Sequence, residues 1–406
     1  MVQKGLANFF EKYLEKEPLF INKGILQASY TPENIPHRDE QINKIAEILA
    51  PSLKIEKPSN LFIYGKTGTG KTLSVKYTTN QIKQVAEQRD IPVHICYVNC
   101  KLKRVADTEY RLIAQLIQAL GKTVPPTGLP TDEVYSIFYK LLEKEQKILV
   151  VVLDEIDQLV KKAGDEILYN MTRINCDLTS NSLVTMIGIS NDLIFADNLD
   201  PRIRSSLSEE EVDFPPYNAF QLQDILRRRA KEAFKKDVLQ NGVIEKCAAY
   251  AAREHGDARR ALELLRVAGE IAERKSFTQV EIQHLDEAEE KIEKDRLIDI
   301  VRGYPRQFQV TLYCIMSIYQ QRKDIIYTGE VYDLYKSVCK QINLRPLTQR
   351  RISDIIGELD MLGLINARVI SKGKMGRTRE ISLPQQCTSN PRIFKILKES
   401  LGFDES

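Results

Sequence analysis

The chain has 406 residues, 43% hydrophobic and 28% charged, enough to bury a core and to divide into two or three domains. No run approaches the ~18 consecutive apolar residues of a membrane span, and the first twenty residues carry charges throughout, where a secretion signal needs an apolar stretch. The formal net charge is only +3, yet residues 301–406 hold 17 Lys and Arg against 10 Asp and Glu, a surplus of +7 that leaves −4 for residues 1–300. A basic end on a faintly acidic body points to a polyanionic partner there. The seven cysteines form no C-x-x-C pair, so buried free thiols in a reducing cytoplasm are expected in preference to a zinc site.

In chain order, residues 1–20 read as a short amphipathic helix or arm, and "YTPENIPHRDEQINKIAEIL" as a turn leading into a helix. Apolar runs at Leu61–Tyr64, Val93–Val98, Ile148–Leu153 and Leu183–Ile189 are predicted strands. Helical stretches separate them, the alternation of a parallel sheet in an α/β domain, placed at residues 1–217. Residues 218–300 turn purely helical: "AFQLQDILRRRAKEAF", "GVIEKCAAYAAREHG", "DARRALELLRVAGEIAERK" and a charged connecting helix. This predicts an all-α lid. Residues 301–406 read as three helices followed by two strands around a Gly-containing tip, the layout of a winged helix-turn-helix. There are no internal repeats or low-complexity tracts.

Between the first predicted strand and the helix after it lies "YGKTGTGKTLSVKY", residues 64–77. Glycines there cost conformational entropy, so the loop is a liability unless something fills it. The spacing Gly65-x-x-x-x-Gly70-Lys71-Thr72 fits the phosphate-binding loop, in the strand–loop–helix order the motif requires. Backbone N–H groups from Gly65, Lys66, Thr67, Gly68, Thr69 and Gly70 through Leu73, with the helix N-terminus, form an anion cradle to which Lys71 adds a point charge. The expected ligand is a nucleoside triphosphate.

"ILVVVLDEIDQL" runs six aliphatics into Asp154 and Glu155, as a strand buried on both faces does, with the acids at its ligand-binding end. Asp154 would hold magnesium together with Thr72, and Glu155 would polarise the attacking water. Asn191 follows "LVTMIGIS", a strand expected between the two motif strands, where its amide can reach the γ-phosphate or the water. In "HGDARRALELL" the first turn of a helix carries Arg259 and Arg260, one of which can point from the lid onto the phosphates.

These motifs together resemble the AAA+ ATPases and, more narrowly, the archaeal origin-recognition initiators of the Orc/Cdc family. The segments that carry the narrower likeness are "IPHRDEQI", "LDPRIRSSL" and "GDARRAL", followed by the C-terminal winged helix. The resemblance spans about residues 10–400. It implies that Ile35, Pro36, His37 and Arg38 lie on the adenine side of bound ATP or ADP. It also implies that Asn191 acts as sensor 1 and Arg259, ahead of Arg260, as sensor 2, and that Arg202 or Arg204 reaches a neighbouring subunit. A finger working in trans leaves a lone monomer a slow ATPase. The implied partners are double-stranded origin DNA, other initiator subunits and the replicative helicase, with no membrane, in the cytoplasm on the chromosome.

At the basic end, "LTQRRISDIIGELDMLGLI" buries one face through Ile352, Ile355, Ile356, Leu359 and Leu362, which leaves Thr348, Gln349, Arg350 and Arg351 for a major groove. Two arginines at a helix N-terminus oppose the macrodipole, a cost that a neighbouring anion relieves. The hairpin adds Arg368, Lys372, Lys374, Arg377 and Arg379, with no acid between Asp360 and Glu380. It reads either as a solvated face or as a wing on phosphates or in the minor groove. Between the two ATPase motifs, Lys122 and Thr123 lie in a Pro-rich stretch that the resemblance makes a DNA-touching tip; a plain surface loop is the alternative. A nucleotide-gated transcription regulator and a remodelling motor are the rival readings of the whole.

Overall fold

The computed structural model describes residues 17–27, 30–32, 34–101, 108–125, 127–178, 180–322, 324–371, 377–384, 387 and 391–403. The chain forms two compact units, residues 1–285 and 286–406.

In the first unit five parallel strands lie in the order β2-β3-β4-β1-β5: β1 (Leu61–Gly65), β2 (Val93–Asn99), β3 (Ile148–Asp154), β4 (Leu183–Ser190) and β5 (Glu210–Phe214). Every residue of β3 is buried, because helices cover both faces. Alternate side chains serve the two layers. Leu149, Val151 and Leu153 pack with α3 (Glu109–Ala119), α4 (Thr131–Glu143), α5 (Ile156–Ala163) and α6 (Glu166–Asp177). Val150 and Val152 pack with α1 (Asp39–Leu49) and α2 (Lys71–Gln88). The short α7 (Pro201–Leu207) precedes β5. Four of the strands match the apolar runs of the sequence. β5 does not, because "EEVDF" is a sheet edge that buries only Val212 and Phe214.

The lid consists of α8 (Ala219–Ala233), α9 (Val243–Arg253) and α10 (Ala258–Arg274). An Asn218–Gln221 capping box starts α8, and Asp257 caps α10 by accepting the N–H groups of Arg259 and Arg260. The described N-terminal residues dock here through an isolated bridge followed by a 3-10 turn at Lys23–Leu26: Phe20 bridges to Phe234 and stacks on its ring at 4.4 Å. Gly269 makes room for it, since a Cβ there would stand 2.4 Å from the Phe20 ring. The expected N-terminal helix or arm otherwise lies outside the described residues.

Helix α11 (Ile282–Gly303) carries the chain into the second unit. There α12 (Arg306–Arg322), α13 (Thr328–Gln341) and α14 (Gln349–Met361) pack with a three-stranded antiparallel sheet ordered β6-β8-β7: β6 (Ile326–Tyr327), β7 (Asn366–Ser371) and β8 (Arg377–Ser382). Tyr335, Ile352, Ile355, Ile356 and Ile381 are central to its core. A closing helix, α15 (Pro391–Leu401), which the sequence reading did not foresee, stacks Phe394 on Tyr313 at 5.3 Å. Of the seven free cysteines six are buried and Cys176 is exposed. Among the described residues no helix is long and apolar enough to cross a membrane.

Candidate nucleotide-binding site

The loop after β1 turns back over the strand end and starts α2 at Lys71. Lys71 is buried, and its ammonium donates to the carbonyls of Gly65 and Lys66, both at 2.7 Å. Burial, with repulsion from nearby Arg259, lowers its pKa to about 8 against the opposing pull of Asp154 and Asp257. Thr72 Oγ1 donates to the Asp154 carboxylate at 3.0 and 3.2 Å. The Tyr97 hydroxyl donates to Asp154 Oδ2, and the Glu155 N–H to Oδ1 at 3.1 Å. Burial, reinforced by that carboxylate, pushes the Tyr97 pKa up, so the hydroxyl remains a donor.

Glu155 has φ 56°, a left-handed backbone costly for a non-glycine residue and common where a turn re-aims a functional side chain. Its carboxylate lies 3.7 Å from Lys101 Nζ.

A cleft of about 860 Å³ runs between the carboxyl ends of the strands and the lid. Gly68, Thr69, Gly70, Lys71, Thr72, Leu73, Asp154, Glu155, Asn191 and Arg259 all line it, as do Ile35 and Pro36. Gly65 and Lys66 stand behind them as acceptors for Lys71; Thr67 is outside the lining.

Two residues expected on the adenine side, His37 and Arg38, are not among those lining the cleft. His37 Nε2 pairs with Asp224 Oδ2 at 2.9 Å. Arg38 is buried and donates to the Thr69 carbonyl at 2.8 Å and the Pro215 carbonyl at 2.5 Å, with its guanidinium 3.9 Å over the Tyr217 ring. A planar cation with several fixed donors suits this position: it ties the segment before α1, the phosphate loop and the strand-to-lid connection together.

The lid meets the loop directly. A Cβ on Gly68 would lie 1.7 Å from Asp257 Oδ1, and the Ala258 N–H donates to the Gly68 carbonyl at 3.2 Å. Arg259 therefore lines the cleft, while Arg260 pairs with Glu254 at 3.1 Å. On α7, Arg202 pairs with Asp200 at 3.0 Å and Arg204 with Asp197 at 2.9 Å; both are exposed and neither lines the cleft. Sequence reasoning missed Tyr97, Asn99 and Lys76, which share the lining. The signal was the polar end of β2, since ligands gather at the carboxyl ends of parallel strands.

In the second unit, Thr348, Gln349, Arg350 and Arg351 are exposed at the start of α14, where Thr348 caps the helix by accepting the Arg351 N–H at 3.4 Å. Arg351 Nη1 stands 3.8 Å from Asp354. Arg368 is exposed on β7, and Arg379 on β8 lies against α14 at Gly357. Lys372 and Lys374 lie outside the described residues, as does the side chain of Arg377. Lys122 and Thr123 are exposed at the turn joining α3 and α4.

A parallel five-stranded sheet with a phosphate loop after β1 and an acid pair ending β3, a helical lid and a winged helix define an AAA+ ATPase with a C-terminal winged-helix domain. Family models agree: an AAA domain matches residues 55–191, a Cdc6 AAA+ ATPase-type lid domain residues 223–290, and the Cdc6 C-terminal winged helix domain residues 299–388. An ORC1-type DNA replication protein from Thermococcus onnurineus is 53% identical over 382 residues, covering 93% of this chain and 91% of its own. The Pyrococcus furiosus protein of that name is 53% identical over 408 residues, 100% and 94% of the two chains. The structure of the Aeropyrum pernix ORC1 protein in complex with DNA matches with a TM-score of 0.81 at 43% identity, over 95% of this chain and 98% of that one. The chain belongs to the family of ORC1-type DNA replication proteins.

Proposed function

We propose that the protein is an ATP-dependent replication initiator that binds double-stranded origin DNA, helps load the replicative helicase and uses slow ATP hydrolysis as a switch. The observation that carries this reading is the convergence of Lys71, Thr72, Asp154, Glu155, Asn191 and Arg259 on one cleft beneath the lid, in a chain whose other unit is a basic winged helix.

In this reading the loop N–H groups and Lys71 hold the β- and γ-phosphates. Ile35 and Pro36 flank the base. Glu155 orients the attacking water and accepts its proton, Asn191 holds that water or the γ-phosphate, and Arg259 brings the lid's charge to the phosphates. The Thr72 hydroxyl and Asp154 carboxylate, hard oxygen donors 3.0 Å apart, fit magnesium, which when bound would neutralise phosphate charge. Arg202 or Arg204, exposed on α7, would reach a neighbouring subunit's nucleotide, so that hydrolysis depends on assembly. Arg350 and Arg351 would read base edges, with Thr348 and Gln349 beside them. The wing cations Arg368, Lys372, Lys374, Arg377 and Arg379, and the Lys122–Thr123 turn, would hold the DNA backbone. The protein would then act in the cytoplasm on the chromosome, with other initiator subunits.

The test combines nucleotide titration with footprinting on chromosomal DNA. Lys71→Ala should weaken ATP binding by roughly 100-fold, because charge-assisted contacts to two phosphates are lost. The wild-type protein should protect repeated elements at origins. Unchanged ATP affinity in the variant removes the phosphate-loop assignment, and protection confined to promoters removes the initiator role.

A further inference from the structure

Asp154 is held by more than the phosphate loop. In the parallel pairing of β2 with β3, Asn99 lies opposite Asp154 and Tyr97 opposite Val152. Tyr97 and Asp154 thus point to the same side of the sheet, towards α2, because residues two apart share a face. The Tyr97 hydroxyl reaches along that face to Asp154 Oδ2. The ring is fixed in turn: Lys76 Nζ stands 4.2 Å above its centroid, one helical turn beyond Thr72 on α2. The three side chains all line the cleft. The carboxylate is therefore held by two hydroxyls, Thr72 from α2 and Tyr97 from β2, and by the N–H of Glu155.

The two hydroxyls are not equivalent. A hydroxyl that gives a lone pair to a cation still has its hydrogen to donate, so Thr72 can serve the cation and Asp154 together, whereas the Tyr97 hydroxyl acts on Asp154 alone. Of the other two donors to Asp154, Tyr97 and the Glu155 N–H, only Tyr97 is a side chain. Carboxylates that ligate metals depend on such hydrogen-bonding neighbours for their orientation.

We propose that Tyr97 is a positioning residue for the divalent cation of the bound nucleotide: its hydroxyl orients the Asp154 carboxylate, and Lys76 holds the Tyr97 ring in place. The inference rests on the role proposed above for Thr72 and Asp154. A purely structural role, an aromatic ring packed between β2 and α2, demands the ring and not the hydroxyl, and this separates the two by experiment.

Tyr97→Phe keeps the ring and its contact with Lys76 and removes only the donor. The measured quantity is the ratio of ATP affinity in magnesium to ATP affinity in EDTA, which divides out any change common to both conditions; a melting curve confirms that the variant is folded. In wild type the ratio should exceed unity, and Asp154→Asn should bring it close to unity. Tyr97→Phe should lower it about tenfold, or to unity where the wild-type gain is smaller. Lys76→Met, which leaves the hydroxyl but frees the ring, should lower it about threefold. A Tyr97→Phe ratio equal to or above wild type, in a protein that melts normally, overturns the inference and leaves Asp154 untouched. A wild-type ratio of unity overturns the reading of Thr72 and Asp154 itself, and this inference with it.

Discussion

The two units keep their charged residues in opposite ways. Around the phosphate loop the cations and anions are buried and already paired: Lys71 on two loop carbonyls, Asp154 on two hydroxyls and an N–H, Arg38 on carbonyls from two distant segments. In the winged helix Gln349, Arg350, Arg351 and Arg368 stand exposed, and Arg351 is held only by long, solvent-exposed pairs with Asp354 and Glu358 at 3.8 and 3.9 Å. A buried network is organised before its ligand arrives, and removing one member leaves others unsatisfied in a low-dielectric setting. An exposed cation is already solvated, so its loss removes only what it contributes to a partner. Changes in the first unit should therefore be large and nearly salt-independent, and changes in the second graded and salt-dependent.

Glu155→Gln tests the extreme of that contrast. Shape is kept while the carboxylate that takes the proton is lost, so turnover should fall by roughly 10²–10⁴-fold with ATP binding retained. Single-turnover hydrolysis beside a binding titration reads both, and normal turnover removes Glu155 from the chemistry.

Arg38→Met probes a buried group that does not line the cleft. The chain keeps its bulk but strands the Thr69 and Pro215 carbonyls, so stability should fall by about 3 kcal/mol. ATP affinity should drop with it, because the loop loses the tie at Thr69. Denaturant unfolding and a binding titration in high and low salt measure this; a loss that vanishes in high salt would place Arg38 with the exposed cations.

Smaller effects belong to the second unit. Arg351→Ala should cost ~1–3 kcal/mol on a preferred duplex and less on a scrambled one, eroding discrimination. Arg368→Ala should weaken both duplexes alike and lower the salt dependence of binding by about one counterion. Affinities for both duplexes across a salt series separate the two. If Arg351→Ala weakens both equally, the helix contacts backbone and the reading of base edges moves elsewhere.

The sequence by itself determined the parts whose geometry is local. The phosphate loop, the acid pair at the end of β3, the apolar periods of α14 and the order of strands and helices each depend on residues within a turn or a strand length of one another, where spacing and backbone preference settle the outcome. β5 escaped notice because a half-exposed edge strand needs few apolar residues. α15 packs through aromatic contacts to α12, a helix whose nearness the sequence does not express. Only the tertiary structure decided which distant groups meet: Tyr97 with Asp154 across neighbouring strands, Arg38 with Thr69 and Pro215, and Asp257 with Gly68, which turns Arg259 to the cleft while Arg260 pairs with Glu254. Such meetings are set by strand order and by how the lid closes on the loop. Both are fixed by the burial of whole faces, which no short stretch of sequence encodes.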